Sequence, residues 1–150
     1  SALSGDAALR TPMRWTADAK GFSTATPFRG LSANVNSQNV IHQLNDSNSL
    51  YQHYKQLLAL RNTQLALRSG TYEAAWALQK TMGFQRVAGN EKIMVLFNYD
   101  TQASTLNVSN LTPGDAWTPL MGATATATVS SAGVLQLSLP AQSLAVFKKN

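Results

Sequence analysis

Five consecutive apolar side chains, Ile93 to Phe97 in "KIMVLFNYD", constrain this chain more than any other feature. In a strand, successive side chains point to opposite faces, so a run without polar alternation needs cover on both sides. The run therefore predicts a central strand with packing against each face. From Tyr72 onward the texture is β-like, and the run has company in "TYEAAWALQ", "STLNVSNL", "AWTPL", "VLQLSLP" and "SLAVFKK". "LQLSL" alternates strictly, as a strand with one buried face should. Gly89-Asn90, Gly114-Asp115 and Gly133 supply turns between the runs. About six strands at this spacing imply an antiparallel sandwich, with "TATATVSS" as an edge strand or a loop.

Upstream of the strands one helix is legible. Leu50, Tyr54, Leu57, Leu58, Arg61 and Leu65 recur at a helical spacing and share one face. Asp46 or Ser47 can cap its start by accepting free N–H groups of the first turn, and Gly70 is a natural stop. Residues 1–44 show no sustained periodicity and carry Gly5, Pro12, Gly21, Pro27 and Gly30. A structureless stretch of that length belongs to a functional loop or a binding surface. The helix stripe is wide and apolar and must bury against something. It is expected to dock on the sandwich or pair with a second copy, unless it was shaped for a domain outside this chain.

Composition narrows the function classes. A chain of 150 residues fits one ordinary domain, or a small domain with an appendage. It opens on Ser1 without a signal-like segment and reads as a piece of something longer. No apolar run reaches the roughly 20 residues that a membrane helix needs. Charged residues make up 13%, against about 25% in an average soluble domain. The surface is instead rich in Ser, Thr, Asn and Gln, which favours a secreted or periplasmic protein over a cytoplasmic one. The net charge of +5 comes from scarce acids, and the basic residues are scattered apart from Lys148-Lys149. Nucleic-acid binding wants a basic patch or stripe, so no nucleic-acid partner is expected.

Catalytic machinery is not visible either. Asp6, Asp18, Asp46, Glu73, Glu91, Asp100 and Asp115 show no pairing of the kind that acid/base cleavage of a glycosidic bond demands. His42 and His53 lack a neighbouring acidic or thiol cluster, and the chain has no Cys, so neither a metal site nor a cofactor is expected. No GxSxG elbow or glycine-rich phosphate loop occurs. The better lead is "LRTPMRW", Leu9 to Trp15, which spends Met13 and Trp15 in an irregular segment. Trp15, Phe22 and Phe28, interleaved with Arg10, Arg14 and Arg29, can make a sugar-binding surface, with aromatic faces on the rings and Arg on the hydroxyls. The same aromatics can equally anchor a long loop to a neighbouring core.

Three stretches in order, "RTPMRW…GF", "NVNSQNVIHQLNDSNSLYQHYKQLLALR" and "GTYEAAWAL…GFQRVAGNEKIMVLFNYD", resemble the C-terminal part of the α-amylase family of glycoside hydrolases. The resemblance is to oligo-1,6-glucosidases, α-glucosidases, trehalose synthases and secreted α-amylases. Arg10, Thr11, Pro12, Met13 and Trp15, with Gly21-Phe22, match the loop after the eighth strand of the family's barrel. Asn39-Val40, Gln43, Leu44, Asp46, Ser49, Leu50, Tyr54, Leu57 and Leu60-Arg61 match the last barrel helix. Gly70, Tyr72, Phe84, Arg86 and the "VLFNY" strand match the opening of the β-sandwich called domain C. Arg14 stands where many relatives have Gln, and Leu65 where many have a helix-ending Pro, which predicts a longer helix here.

The resemblance implies a mainly β fold: an antiparallel β-sandwich of the domain C type, preceded by a long loop and one amphipathic helix left over from a (β/α)8 barrel. Residues 1–68 would be the end of the catalytic barrel and 69–150 domain C. The intact protein would be a retaining α-glycosidase acting on α-linked glucose oligosaccharides or starch-like substrate through a covalent glycosyl-aspartate, and domain C would be structural. A barrel site is assembled from loops of many strands. The catalytic carboxylates lie upstream of this stretch in the family, so the chain alone is expected to be inactive. Arg10, Met13, Arg14, Trp15 and Phe22 inherit a role lining the sugar cleft. The rival reading is a stand-alone β-sandwich that binds carbohydrate through Trp76 or Trp117, or serves as an interaction domain.

Overall fold

The run Ile93–Phe97 is indeed a central strand covered on both faces. It belongs to β3 (Glu91–Asn98), which pairs antiparallel with β2 (Thr81–Ala88) on one side and β8 (Ser143–Lys149) on the other. With β1 (Thr71–Leu78), β5 (Ala116–Met121) and β6 (Ala127–Thr128), these make a six-stranded sheet of order β1-β2-β3-β8-β5-β6. A second sheet pairs β4 (Ser104–Val108) antiparallel with β7 (Leu135–Leu139). The computed structural model describes Gly5, residues 9–18 and residues 23–150. It divides into two compact units, Ser1–Ala59 and Leu60–Asn150, and the strands all lie in the second.

Period two sorts the core. Met94 and Leu96 of β3, with Trp117, Ala145 and Phe147, meet Leu106 and Val108 of β4 and Leu135 and Leu139 of β7, all at most 5% exposed. Ile93 and Val95 point the other way, against Ala66, Leu67 and Val146. Ala66 sits in a short helix that lies on the outer face of the large sheet. The mainly β, antiparallel sandwich expected from the strand pattern is therefore the architecture observed, with "TATATVSS" reduced to the two-residue edge strand β6. The hairpin between β2 and β3 turns on Gly89 at φ +58, a conformation that costs glycine little.

One strand escaped the sequence pattern. β2, "TMGFQRVA", carries Gly83 in its middle, which strand propensity disfavours. Gly83 pairs with Trp76, and a Cβ there would lie 2.7 Å from Leu96 Cδ2 and 2.9 Å from Trp76 Nε1. The missing side chain makes room for an indole, a tertiary reason that local composition does not carry.

The helical region also differs from the single helix expected. It comprises α1 (Val40–Asn45), α2 (Leu50–Thr63) and α3 (Leu65–Ser69). The cap of α2 is neither Asp46 nor Ser47: the Ser49 hydroxyl accepts from the Gln52 N–H at 3.2 Å and donates to the Gln43 carbonyl at 2.6 Å. Asp46 is spent in the preceding turn, accepting from Asn48 N–H. Nor does Leu65 in place of Pro lengthen the helix. Gln64 adopts an extended conformation (φ −107, ψ 115) and separates α2 from α3. Gly70 does end the run, its N–H donating to Ala66 O at 2.9 Å.

The break at Gln64 is held from the sheet. The Glu91 carboxylate accepts from the Ala66 N–H at 2.7 Å, taking the place of a side-chain cap on α3, and pairs with Lys148 Nζ at 3.0 Å. Lys148 also donates to Gln64 Oε1 at 3.1 Å. The Ala66 N–H, and then the Lys148 ammonium, hold the Glu91 carboxyl below the usual carboxylate range. On the same outer face an aromatic row runs Tyr72, Phe84, Phe97, Tyr99, with successive ring centroids 4.8, 6.3 and 5.7 Å apart. Its two end members are well exposed. A buried amide closes the opposite end of the sandwich: Asn98, 1% exposed, donates to the carbonyls of Gln102, Leu139 and Pro140 and accepts from the Asp100 N–H.

Part of the apolar stripe of α2 is open among the described residues. Leu50, Tyr54 and Leu58 are 65, 59 and 57% exposed.

Candidate functional site

The loop "RTPMRW" is held in part through its backbone. The carbonyls of Arg14 and Trp15 accept from the N–H groups of Val40 and Ile41 at 2.9 and 3.1 Å. Those are donors of the first turn of α1, which a helix cannot satisfy internally. The remaining first-turn donors are met by Asn39, 4% exposed, whose Oδ1 accepts from His42 N–H at 2.8 Å and whose carbonyl accepts from Gln43 N–H. The Asn39 amide in turn donates to the carbonyls of Val35 and Asn36. One buried asparagine thus ties the segment 35–36 to the helix start against which the Arg14-Trp15 backbone is clamped.

The arginine at position 14 reaches across the same loop. Its guanidinium donates to Asn34 Oδ1 at 2.5 Å and to Ser32 Oγ at 3.4 Å, and the Ser32 hydroxyl donates to the same Asn34 oxygen. Pro12 is buried beneath, while Arg10 is exposed and Met13 and Trp15 are 50 and 45% exposed. The structure therefore brings Arg14, Met13 and Trp15 into one anchored loop. Phe22 lies outside the described residues. Phe28 is 93% exposed and has the Arg29 guanidinium 5.1 Å from its ring centroid, a cation–π pair. Ser32 and Asn34 escaped the sequence reading, which named Asn39 as a match to the last barrel helix and not as a cap. The signal for Asn39 was present: an Asn immediately before the apolar pair Val40-Ile41 is a cap signature.

The described carboxylates are occupied with local structure. Asp18 accepts from Thr16, Glu73 from Thr71, and Asp115 pairs with Lys149 at 2.7 Å. Asp100 pairs with Lys80 at 3.3 Å, and the hydrogen bond from that ammonium holds its carboxyl below the ordinary carboxylate pKa. Among the described residues no group of three or more His, Asp or Glu side chains comes together in a way that could hold a metal. The loop presents a half-open indole and thioether on either side of Arg14.

The sandwich tryptophans divide sharply. Trp117 is 1% exposed in the core with its indole N–H lacking a partner, so it cannot present a ring to sugar as the stand-alone reading allowed. Trp76 is half-buried and borders a cleft.

Comparison with known proteins relates this architecture to one family. The trehalulose synthase of Pseudomonas mesoacidophila superposes on 94% of the chain with a TM-score of 0.71 at 24% identity, the chain covering 25% of that structure. This likeness shows a shared fold. The family described as alpha amylase, catalytic domain, matches residues 1–70. A probable alpha-glucosidase of Rhizobium meliloti is 38% identical over 97 residues, covering 64% of this chain and 18% of its own length. The trehalose-6-phosphate hydrolase of Bacillus subtilis is 34% identical over 111 residues, covering 72% of this chain and 20% of its own length. The chain is thus similar to the alpha-amylase family and spans about a fifth of the length of these curated relatives.

Proposed function

We propose that this chain is the C-terminal part of an α-glucosidic enzyme, residues 1–68 finishing its catalytic barrel and residues 69–150 forming a structural β-sandwich. The observation that carries the reading is the open stripe of α2. Leu50, Tyr54 and Leu58 present apolar surface of a kind that a soluble protein rarely leaves in water. In the intact enzyme the missing barrel covers it. The exposed ends of the aromatic row, Tyr72 and Tyr99, support the same assignment, since they extend an apolar face beyond what this chain buries.

The substrate class follows from the relatives, whose names include alpha-glucosidase, oligo-1,6-glucosidase and glucan 1,6-alpha-glucosidase. The proposed substrate is accordingly an α-linked glucoside. Two carboxylates outside this chain perform the cleavage, one as nucleophile and one as acid/base. Arg10, Met13, Arg14, Trp15 and Phe22 line the cleft in this reading. The clamp of the Arg14-Trp15 backbone on α1 supports a positioning role for that loop, because substrate-binding side chains need a fixed backbone.

Sequencing upstream of the codon for Ser1 tests the assignment. A continuous reading frame for a barrel is expected, and its full product should hydrolyse nitrophenyl α-glucoside while the present chain does not. W15A in that product should lower kcat/KM by about tenfold, the loss of roughly 1.4 kcal/mol of binding to the transition state. A frame closed by a stop codon directly upstream, or hydrolysis by the isolated chain, refutes the reading.

A further inference from the structure

The open edge of the sandwich holds a cleft of about 400 Å³ that the foregoing reading does not use. Its wall is built by a break in β1. The β1–β2 register shifts between Glu73 and Trp76, and Ala74 within the bulge takes φ +47, in the left-handed region that a residue with a Cβ enters at a cost. Across the cleft, beyond the end of β4, Asn110 is also left-handed at φ +62. Bulges and strained residues gather at binding sites, where the fold over-determines an unfavourable backbone. Here the bulge residue of β1 and a loop residue just past β4 line one space.

The lining chemistry is specific. Trp76 rests on Gly83, the residue whose missing Cβ admits it, and borders the cleft. Gln85, Asn107, Ser109 and Asn110 supply amides and a hydroxyl, and no charged residue lines the space. Within the described residues the side chains of Gln85, Ser109 and Asn110 make no hydrogen bond, while Asn107 Oδ1 accepts from Gln136, which leaves the Asn107 amide N–H donors facing outward from that bond. An indole surrounded by uncharged hydrogen-bonding groups matches a neutral pyranose, whose ring has an apolar face and a rim of hydroxyls. A phosphate or an acidic peptide would find no cation here.

We propose that this cleft binds a neutral α-linked glucose oligosaccharide, with Trp76 against a ring face and the amides of Gln85, Asn107 and Asn110 on the hydroxyls. The choice of α-linked glucose rests on the α-glucosidic reading above; the preference for a neutral pyranose rests on the lining alone. The test uses the chain itself and needs no catalysis, so its failure leaves the hydrolytic assignment standing. The three indole N–H resonances, from Trp15, Trp76 and Trp117, are followed by NMR while maltotriose and, separately, cellotriose are added. Maltotriose should shift the Trp76 signal saturably and leave buried Trp117 in place. W76A should abolish the response. N110G, which tolerates the positive φ, and Q85A should each weaken binding about fivefold at unchanged melting temperature, the worth of one hydrogen bond. The proposal is overturned if Trp76 does not respond to maltotriose, if Trp15 alone moves, if cellotriose binds as well or better, or if N110G and Q85A bind like the parent.

Discussion

Removing the buried amide of Asn98 should destabilise the sandwich by about 3 kcal/mol. Its Nδ2 lies 2.9, 3.2 and 2.7 Å from the carbonyls of Gln102, Leu139 and Pro140, and its Oδ1 accepts from Asp100 N–H at 2.9 Å. The bond to Leu139 is wholly buried, and an acceptor stranded there costs about 1–3 kcal/mol. The other three are partly buried; each contributes about 0.5–1.5 kcal/mol net, some of which water restores after truncation. For a unit of this size, about 3 kcal/mol lowers Tm by roughly 12–24 °C. N98D sharpens the test. It keeps the oxygen that serves Asp100 but turns both donors into a carboxylate facing three carbonyls, so at pH 7 it should be worse than N98A. Burial and those carbonyls favour the protonated acid in the folded state. The folded state then binds the proton more tightly than the unfolded one, and stability returns as pH falls through the raised pKa. Urea unfolding of the parent, N98A and N98D at pH 7 and pH 4 reads all of this. A loss below about 1 kcal/mol for N98A would refute the reasoning, and so would an N98D variant indifferent to pH.

Three further outcomes are expected. G122A should cost more than about 3 kcal/mol, since Gly122 is at φ +74 and a Cβ would lie 1.9 Å from Leu144 O; thermal unfolding measures it, and a shift of only a few degrees would contradict the close approach. For Glu91, whose folded pKa lies below 4.5, the contribution to stability is complete above that unfolded value and is lost as pH falls through the folded one. E91Q keeps an acceptor for Ala66 but loses the charge, so it should be less stable by about 1 kcal/mol at pH 7 and converge with the parent as pH falls through the folded pKa; a gap independent of pH would exclude the ion pair with Lys148 as its cause. L58Q should change the stability of this chain by less than about 0.5 kcal/mol, because Leu58 is 57% exposed, yet cost about 2 kcal/mol or more in a full-length product that buries it.

Much of the sandwich could be read from residue order because its signals are local. The apolar run of β3 needs two covered faces whatever its neighbours, and "LQLSL" states its own buried side through Leu135 and Leu139. Features that depend on a distant partner were opaque. Gly83 looks like a strand breaker until Trp76 is placed over it, and Gln64 looks helical until Glu91 and Lys148 claim the next turn. The anchored loop was half legible. Arg14 and Trp15 stood out as residue types, while Ser32 and Asn34, which position the guanidinium from some twenty residues away, carried no mark. Trp76 and Trp117 look alike in sequence; one is sealed in the core and the other borders a cleft made by two alanines at a bulge.

The place of β8 in the large sheet has a consequence for biosynthesis. β8, made after the other seven described strands, is inserted between β3 and β5, and among the described strands it alone joins the β1–β3 meander to the β5–β6 pair. Without it the large sheet is two half-sheets with unpaired inner edges, which is the geometry that invites wrong partners. Closure must wait for synthesis of residues 143–149, and a nonsense codon shortly before them should yield aggregated protein rather than a slightly weaker one.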